Sequence, residues 1–348
     1  MINHALTFRI AKIVPETHEA STFVLEELSG KKVLYKAGQF ITFIFHLNGF
    51  EIRRSYSMSS TPGVDDRVSI TIKRVRNGSV SRYMLDHCQA GDILTALAPS
   101  GMFVLDMHVA GPHDIFLLAA GSGITPVYAV LKDALHHKPD VSVNLIYQNH
   151  KESETIFRKE LEQLATQYAH RFTWLDFVST PRTPLSSSRR INNEKLENII
   201  SKKMRYNRSN ARFFICGPTS FMRMCQFTIL LMGFREAQIR KEFFVIDTPP
   251  PPPLIKDIQP RQVTLHAGDQ MLTFATAYPK TILQSALDQN IALPYSCRGG
   301  RCSTCVARCL KGEIKMSVND VLTQNDLAQG LVLTCVGYAA SDVELVFE

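Results

Sequence analysis

Four cysteines near the end of the chain impose the strongest constraint on what it can fold into. Cys297, Cys302 and Cys305 follow a C-x4-C-x2-C spacing, and Cys335 lies thirty residues beyond the third of them. This is the spacing of the plant-type [2Fe-2S] site, in which four thiolates hold two irons. Two glycines between the first two cysteines allow the backbone to approach a cluster closely. The pattern therefore predicts an iron–sulfur electron carrier. A zinc site made by the same cysteines is the alternative, although zinc sites usually pair C-x2-C with C-x2-C.

The length and cysteine content indicate a multidomain protein of a reducing compartment. At 348 residues the chain is long enough for two or three domains. The chain contains no run of 18 apolar residues, the length needed to span a bilayer. Residues 1–20 lack the layout of a signal peptide. We therefore expect a cytoplasmic protein, in which the eight cysteines serve as thiols or metal ligands and not as disulfides.

The charge is basic and unevenly spread. The formal net charge is +7, of which residues 1–253 carry +8 and the remainder −1. The chain has no Lys/Arg run with interleaved aromatic residues, the pattern that would suggest nucleic-acid binding. We expect the basic part to attract anionic cofactors and an acidic partner. Basic residues also crowd the cluster loop and the strand after it, which predicts a docking face for an acidic acceptor: Arg298, Arg301, Arg308, Lys311 and Lys315.

The first third of the chain reads as short strands separated by turns, which predicts an antiparallel β-barrel. Within it, alternation along a strand would send Arg54 and Tyr56 to one face, where a cation and an aromatic ring could meet one ligand. The turn at Gly78, Val80 and Ser81 precedes a helix, so its N–H groups and hydroxyl could bind phosphate. A simple helix-capping serine is the alternative at Ser81.

From Asp114 the pattern changes to alternating strands and helices, which predicts a parallel sheet. A buried strand leads into Gly121-Ser122-Gly123-Ile124-Thr125-Pro126 and then an apolar helix. Glycines at such a junction let the backbone approach a pyrophosphate at a helix N-terminus. A later strand ends at Cys216-Gly217-Pro218, and the carboxyl end of a parallel strand faces the ligand crevice.

Five consecutive prolines, at positions 249–253, predict a semi-rigid polyproline spacer. The spacer follows a segment that contains Glu242-Phe243-Phe244. We expect four parts on this basis: a β-barrel over residues 1–110, an α/β dinucleotide-binding domain over 111–247, a linker over 248–259, and an α+β cluster domain over 260–348.

These motifs together resemble the ferredoxin–NADP(+) reductase superfamily fused to a C-terminal plant-type ferredoxin of β-grasp fold. Within that superfamily the chain is most similar to the reductase subunits of phenylacetyl-CoA epoxidases. The resemblance covers nearly the whole chain and implies FAD as the flavin. Phthalate dioxygenase-type reductases share the domain order but carry FMN, which leaves FMN as the alternative.

The resemblance also assigns roles to individual residues. It implies flavin binding by Arg54, Tyr56, Ser57, Gly78, Val80 and Ser81, and a flavin-facing Phe244. It implies coenzyme binding by Gly121, Gly123, Thr125, Pro126, Gly217 and Pro218, with Ser57, Cys216 and Glu242 as catalytic residues on the hydride path. In NADPH-specific relatives an arginine after the third strand binds the 2′-phosphate. Here Arg182 is displaced by insertion of a Thr-Pro pair, so NADPH and NADH both stay open. Arg189 and Arg190 could also serve that phosphate.

The expected function follows from the number of electrons that each carrier transfers at a time. NAD(P)H gives up two electrons as hydride, the cluster takes one at a time, and a flavin mediates between them. We expect an electron-transfer reductase that serves the oxygenase of a phenylacetyl-CoA epoxidase-like system. Steroid or alkane hydroxylases and desaturases are the other acceptors considered. A redox sensor that binds flavin and cluster without turnover is the alternative of another class.

Overall fold

The structure is a computed structural model that describes residues 5–47, 49–105, 111–180, 190–244, 251–255, 258–267 and 270–347. Three large β-sheets follow one another along these parts of the chain. No helix among the described residues is both long and apolar enough to cross a membrane.

The first sheet has six antiparallel strands in the order β4-β3-β6-β1-β2-β5. They are β1 (Leu6–Thr17), β2 (Ala20–Glu27), β3 (Phe40–Leu47), β4 (Phe50–Ser57), β5 (Val68–Lys73) and β6 (Ile93–Ala96), with helix α1 (Ser79–His87) before β6. Alternating apolar residues such as Phe8, Ile10 and Phe43 form its core. A bridge between Met58 and Ile70 brings the two terminal strands together, as the predicted barrel requires.

The second sheet is parallel, with the strand order β11-β10-β7-β8-β9. Its strands are β7 (His113–Ala120), β8 (Val141–Asn149), β9 (Phe172–Val178), β10 (Ala211–Cys216) and β11 (Ile239–Glu242). Its helices are α2 (Ile124–His137), α3 (Arg158–Gln167), α4 (Asn193–Lys203) and α5 (Thr219–Leu231). Every residue of β7 and β8 is buried, because helices cover both faces of the sheet. The predicted α/β fold is confirmed.

The third unit is a mixed sheet in the order β13-β12-β18-β14-β16, with a two-stranded ladder, β15-β17, beside it. The strands are β12 (Arg261–Ala267), β13 (Gln270–Thr276), β14 (Val306–Lys311), β15 (Ile314–Met316), β16 (Leu331–Leu333), β17 (Gly337–Ala339) and β18 (Val343–Val346). Helices α6 (Ile282–Asp288) and α7 (Gln324–Ala328) complete it. The buried face of α6 packs into a core that also contains Cys305 and Cys335, so the fold carries the cluster loop directly.

The three units touch where the first two meet the cluster loop. Met102 packs against the core of the third unit, and the hydroxyls of Ser55 and Ser296 lie 2.7 Å apart. The exact domain limits stay a prediction, because two of them fall beside or within the undescribed residues 106–110 and 245–250. Of the predicted spacer, prolines 251–253 are described and belong to no helix or strand, whereas 249 and 250 lie outside the described residues.

Candidate functional site

A serine and a glutamate from different sheets form the centre of the candidate site. Glu242 ends β11, and its partner in the parallel register is Cys216 at the end of β10. The carboxyl ends of these neighbouring strands thus place the two side chains beside each other. Ser57, the last residue of β4, donates a hydrogen bond from Oγ to Oε1 of Glu242. All three residues are buried, so three separate sequence motifs converge here.

Burial controls the protonation of this group. Desolvation raises the pKa of Glu242 to about 8, although the hydrogen bond from Ser57 opposes the rise. Desolvation, followed by the nearby Glu242 carboxyl, also raises the pKa of Cys216 well above its ordinary value. Oε2 of Glu242 has no hydrogen-bond partner among the described residues. At neutral pH the site therefore holds a proton on a carboxyl group and a neutral thiol, with one polar atom unpaired.

A cavity of about 670 Å³, including its open mouth, joins this centre to the cluster loop. Most of its lining comes from the end of β4, the end of β11 with the segment after it, and the loop that carries the first two cluster cysteines, and Phe40, Met102, Phe103 and Val321 complete it. Phe244 lies at its edge with 44% of its surface exposed. The lining includes Arg53, Arg54, Ser55, Ser57, Glu242, Phe243, Phe244, Ser296, Cys297, Arg301 and Cys302. The cavity is thus the place where a bound group could approach both units.

The two faces of β4 have different surroundings. Arg54 and Tyr56 share one face, as predicted from alternation, and Arg54 acts electrostatically on the Tyr56 phenol. Tyr56 packs against the first sheet's core, with its ring centroid 6.3 Å from that of Phe43. The opposite face carries Ser57, which points to Glu242. Ser57 and Arg54 line the cavity, whereas Tyr56, whose ring packs against the core, does not.

The turn before α1 is stabilised by a hydrogen bond to a side chain of α1. Ser81 Oγ accepts a hydrogen bond from the Val75 N–H at 3.2 Å, and Val80 and Ser81 are both buried. A Cβ at Gly78 would lie 2.5 Å from Ser81 Oγ, which explains the glycine. The structure therefore favours a turn-forming role for the Ser81 hydroxyl, while the N–H groups at the start of α1 stay candidates for phosphate binding.

The glycine loop after β7 has one closed and one open side. Gly123 lies against the end of β10, where an added Cβ would be 2.2 Å from the carbonyl oxygen of Cys216. Gly121 has a φ of +54° and no atom within 4 Å of an added Cβ. Tyr147 braces it by donating from its hydroxyl to the Gly121 carbonyl at 3.1 Å. An approaching dinucleotide would thus find open backbone at Gly121.

The rest of this loop is held in place by the first turn of α2 and by the neighbouring loop, which follows β10. Thr125 donates from Oγ1 to the Ser122 carbonyl at 3.0 Å, and Pro126 is buried in the first turn of α2. Gly217 adopts a φ of +156° and packs against Ala120, with Pro218 as the residue before α5. The two loops therefore line up side by side at the carboxyl ends of β7 and β10.

The four cluster cysteines form one connected set of thiols. Cys297 is within hydrogen-bond contact of Cys302 and Cys335, and Cys335 also reaches Cys305. Among the described residues, no three His, Cys, Asp or Glu side chains are arranged around a single metal ion. The N–H of Gly299 points to Cys297 Sγ at 3.4 Å, in the manner of a backbone that stabilises thiolates.

The backbone of the loop is shaped for close wrapping. Arg298, Gly300 and Ser303 all have positive φ values, of 54°, 72° and 57°. A Cβ at Gly300 would lie 2.7 Å from Val318, so a glycine is needed there. Three thiols in such a loop, together with the Cys335 thiol after β16, fit a [2Fe-2S] group by their donor chemistry, and Cys305 and Cys335 are buried in the core.

Some residues at the site were not predicted. Arg53 and Ser55 lie on the same face of β4 as Ser57 and face the cluster loop, and Tyr147 supports Gly121. Period-two alternation back from Ser57 could have identified the first two, whereas nothing in the sequence signalled Tyr147. Arg182 and Arg189 lie outside the described residues, and Arg190 is exposed.

Three family models match successive parts of the chain. Residues 7–105 match an oxidoreductase FAD-binding domain, residues 117–226 an oxidoreductase NAD-binding domain, and residues 266–340 a 2Fe-2S iron-sulfur cluster binding domain. These matches resolve the choice between iron–sulfur cluster and zinc in favour of the cluster, and they support FAD as the flavin.

Curated relatives match over almost their whole length. The ferredoxin reductase component of 3-ketosteroid-9-alpha-monooxygenase from Mycobacterium tuberculosis is 32% identical, over 99% of this chain and 97% of its own. One of the subunits of 1,2-phenylacetyl-CoA epoxidase from Escherichia coli is 30% identical, over 99% of this chain and 98% of its own.

Solved structures agree on the fold. Phthalate dioxygenase reductase superposes with a TM-score of 0.60 at 22% identity, covering 98% of this chain and 97% of its own. An intact type IV self-sufficient cytochrome P450 monooxygenase gives a TM-score of 0.72 at 20% identity, with 98% of this chain matching 40% of that larger one. Fold and site thus define a flavin- and NAD-binding reductase that carries its own iron–sulfur domain. The chain belongs to the family of ferredoxin reductase components of monooxygenases, within the ferredoxin–NADP(+) reductase superfamily.

Proposed function

We propose that this protein takes hydride from NAD(P)H and delivers single electrons through a [2Fe-2S] cluster to an oxygenase component. The observation that carries the proposal is the shared cavity, which is lined by the Ser57–Glu242 centre on one side and by Cys297 and Cys302 on the other. A flavin bound in this cavity could take hydride on one side and pass single electrons to the cluster on the other, so no carrier besides the flavin would be needed.

The residues present fit the implied groups. Bound FAD accepts two electrons together and releases them one at a time, and the cluster takes up one. The flavin would be held by the Arg54 and Tyr56 face of β4 and by the turn at Gly78, Val80 and Ser81. The coenzyme would lie along Gly121, Gly123, Thr125, Pro126, Gly217 and Pro218, and the cluster would be held by Cys297, Cys302, Cys305 and Cys335.

The catalytic side chains would act by holding a proton and excluding water. Glu242, with a pKa of about 8, keeps its carboxyl proton at neutral pH, so Oε2 can donate into the cavity. Ser57 fixes the orientation of that carboxyl through its bond to Oε1. Cys216 is fully buried beside it as a neutral thiol and fills the end of the crevice without adding charge.

The choice between NADPH and NADH depends on the segment after β9. Arg182 remains our candidate for a 2′-phosphate, with Arg189 and Arg190 as further candidates. Replacing all three by alanine should raise the KM for NADPH more than the KM for NADH. Equal effects on both coenzymes would show that the segment is a solvated basic loop.

We propose a phenylacetyl-CoA epoxidase-like oxygenase as the acceptor, because a component of 1,2-phenylacetyl-CoA epoxidase matches the chain from end to end. A steroid hydroxylase is the second candidate, which the 32% identity to the 3-ketosteroid-9-alpha-monooxygenase reductase supports. Affinity capture from the native cells would discriminate between them by the identity of the oxygenase recovered. We also propose a cytoplasmic location, where the eight free cysteines would stay reduced.

Rapid mixing with coenzyme tests the function. Under anaerobic conditions NADPH or NADH should bleach the flavin absorbance within seconds, and the reduced protein should then reduce cytochrome c. A protein that binds flavin and cluster but shows neither change would be a redox sensor, and the reductase proposal would be wrong.

A further inference from the structure

Arg53 reaches from the first sheet to the cluster unit. Its guanidinium carbon lies 4.0 Å from the centroid of the Tyr295 ring, and that of Arg298 lies 4.4 Å from the same centroid. Arg53 Nε also donates to Oε1 of Glu51 at 2.8 Å, and only 15% of its side chain is exposed. Cation–π contacts are stronger where the cation is shielded from water, and Arg53 is largely buried, whereas Tyr295 is half-buried. Arg53 therefore makes a firm contact between two units.

A second contact lies beside the first. Ser55 and Ser296 share a hydrogen bond of 2.7 Å between their hydroxyls, and Thr42 lies 2.9 Å from Ser55. Tyr295 and Ser296 directly precede Cys297 in the sequence. Any displacement of this contact would consequently move the first cluster cysteine relative to β4.

Both contacts come from one face of β4. Arg53 and Ser55 are two positions apart on that strand, so their side chains project to the same side. Their partners, Tyr295 and Ser296, are neighbours in the loop before Cys297. The two contacts together give the two units a defined relative position.

One atom of Arg53 is left without a partner. Nη1 is buried and has no hydrogen bond among the described residues, although the side chain lines the cavity together with Ser57, Cys297 and Cys302. A buried donor without a partner reduces stability, so stability alone does not explain its position. The cation lies between the hydride site and the cluster loop.

From these contacts we infer that Arg53 is a positioning residue for electron transfer into the cluster unit: with Tyr295 and the Ser55–Ser296 bond it holds the cluster loop on β4. The inference rests on the proposed function. The step it serves moves one electron from flavin to cluster, forms and breaks no bond, and draws its electrons from the hydride of NAD(P)H.

The holoenzyme variant Arg53→Ala tests the inference with two measurements. In anaerobic stopped-flow experiments, flavin reduction by NAD(P)H should keep the wild-type rate, whereas cluster reduction should slow by roughly tenfold, equivalent to about 1.4 kcal/mol of lost docking. Hydrogen–deuterium exchange of the oxidised holoenzyme should show faster uptake in residues 50–57 and 291–296. Arg53→Lys keeps a cation over Tyr295 and should restore most of the rate.

Arg9→Ala is the matched control, because Arg9 lies in the same sheet and pairs with Glu26 at an exposed site. It should change neither measurement. Wild-type cluster reduction in Arg53→Ala would overturn the inference, and so would a loss of bound flavin, which would make Arg53 a flavin ligand. If NAD(P)H fails to reduce the flavin of the wild type, the proposed function is wrong, and unchanged deuterium uptake in Arg53→Ala would separately reject the docking role.

Discussion

Glu242 differs from an ordinary surface glutamate because its carboxyl group lost its water when β4 and β11 came together. Burial raises its pKa to about 8, and a single hydroxyl, that of Ser57, compensates in part. Keeping a protonated carboxyl in the crevice stabilises the folded state at low pH and destabilises it at high pH.

Glu242→Gln should therefore flatten the pH dependence of stability. In the wild type the free energy of unfolding should fall as pH rises from about 4.5 to about 8, because the folded state alone holds the proton across this window. The full difference between wild type and variant across that window should be about 5 kcal/mol. Denaturant unfolding at a series of pH values measures it. Glu197→Gln, at an exposed site on α4, should follow the wild type, and an unchanged profile for Glu242→Gln would show that the carboxyl ionises normally.

The two loop glycines should respond differently to alanine. Gly123→Ala puts a methyl group 2.2 Å from the Cys216 carbonyl oxygen, so it should lower stability by about 1–3 kcal/mol. Gly121→Ala meets no atom within 4 Å and costs about 1 kcal/mol for its left-handed conformation, yet it should raise the coenzyme KM. Thermal unfolding and steady-state kinetics measure the two effects. Normal coenzyme affinity in Gly121→Ala would place the dinucleotide elsewhere.

At the scale of elements, helix α7 connects the cluster unit to the parallel sheet. Asp326 caps α7 by accepting hydrogen bonds from the N–H and hydroxyl of Thr323, each at 2.7 Å. The same oxygen accepts from Arg240 of β11 at 2.8 Å. Burial alone would raise the pKa of Asp326, but the bonds from Thr323 and the charge of Arg240 lower it overall.

One oxygen of Asp326 serves both contacts, so we expect replacement of Asp326 and replacement of Arg240 to have unequal effects on stability. Arg240→Ala should remove only the contact between units, whereas Asp326→Ala should also remove the Asp326 half of the capping box and cost about 1 kcal/mol more, with Thr323 still in place as the N-cap. Because the folded pKa of Asp326 is lowered, its contribution is complete above pH 3.8 and is lost as pH falls through the folded pKa. Calorimetry of both variants at pH 7 measures the difference. Equal losses would mean that the bonds from Thr323 to Asp326 add no stability.

At the scale of the whole molecule, the proposed hydride site and the iron–sulfur domain belong to different units. Ser57 and Glu242 come from the first two sheets, and the 2Fe-2S domain contains the third. Cys305→Ser should accordingly abolish cluster absorbance while flavin reduction by NAD(P)H continues. Cys309→Ser is the control: that thiol donates to the Lys311 carbonyl at 3.3 Å, and the variant should keep its cluster. Loss of flavin reduction in Cys305→Ser at normal flavin content would contradict this modular arrangement.

The predicted basic docking face is divided by the tertiary structure. Arg301 pairs with Asp320 at 2.7 Å, lies 5.5 Å from the Phe243 ring centroid and lines the cavity, so it belongs to the internal junction. Lys311 and Lys315 are on the outside, with 76% and 47% of their side chains exposed. The part of the face that an acceptor can meet is therefore smaller than the sequence suggests.

Charge reversal at Lys311 and Lys315 should slow electron delivery to an acidic acceptor at low salt. The effect should fade with added salt, since the Debye length shortens from about 30 Å at 0.01 M to about 8 Å at 0.15 M. Flavin reduction should not change. Acceptor reduction at the wild-type rate across the salt series would place the docking face elsewhere.

Much of the fold was predictable because its patterns are local. The alternation in β5, the apolar run of β7 and the amphipathic α4 each predicted an element that the structure contains. The sequence predicts the apolar helix only after Pro126, but the helix begins at Ile124, because Gly121–Gly123 form a turn that continues directly into it. Such a boundary depends on packing against Cys216, which is distant in sequence.

By itself the sequence determined the order of the units and predicted the cluster cysteines and the glycine loop, because each of these two motifs depends on spacing within a short segment. Tertiary structure decided which side chains share a cavity: Ser57 meets Glu242, and Arg53 meets Tyr295. It also decided that Arg301 turns inward and that Glu242 keeps a proton near neutral pH. Those outcomes depend on burial and on contacts between residues far apart in the sequence, such as Ser55 and Ser296, which are 241 positions apart, and no local pattern encodes them.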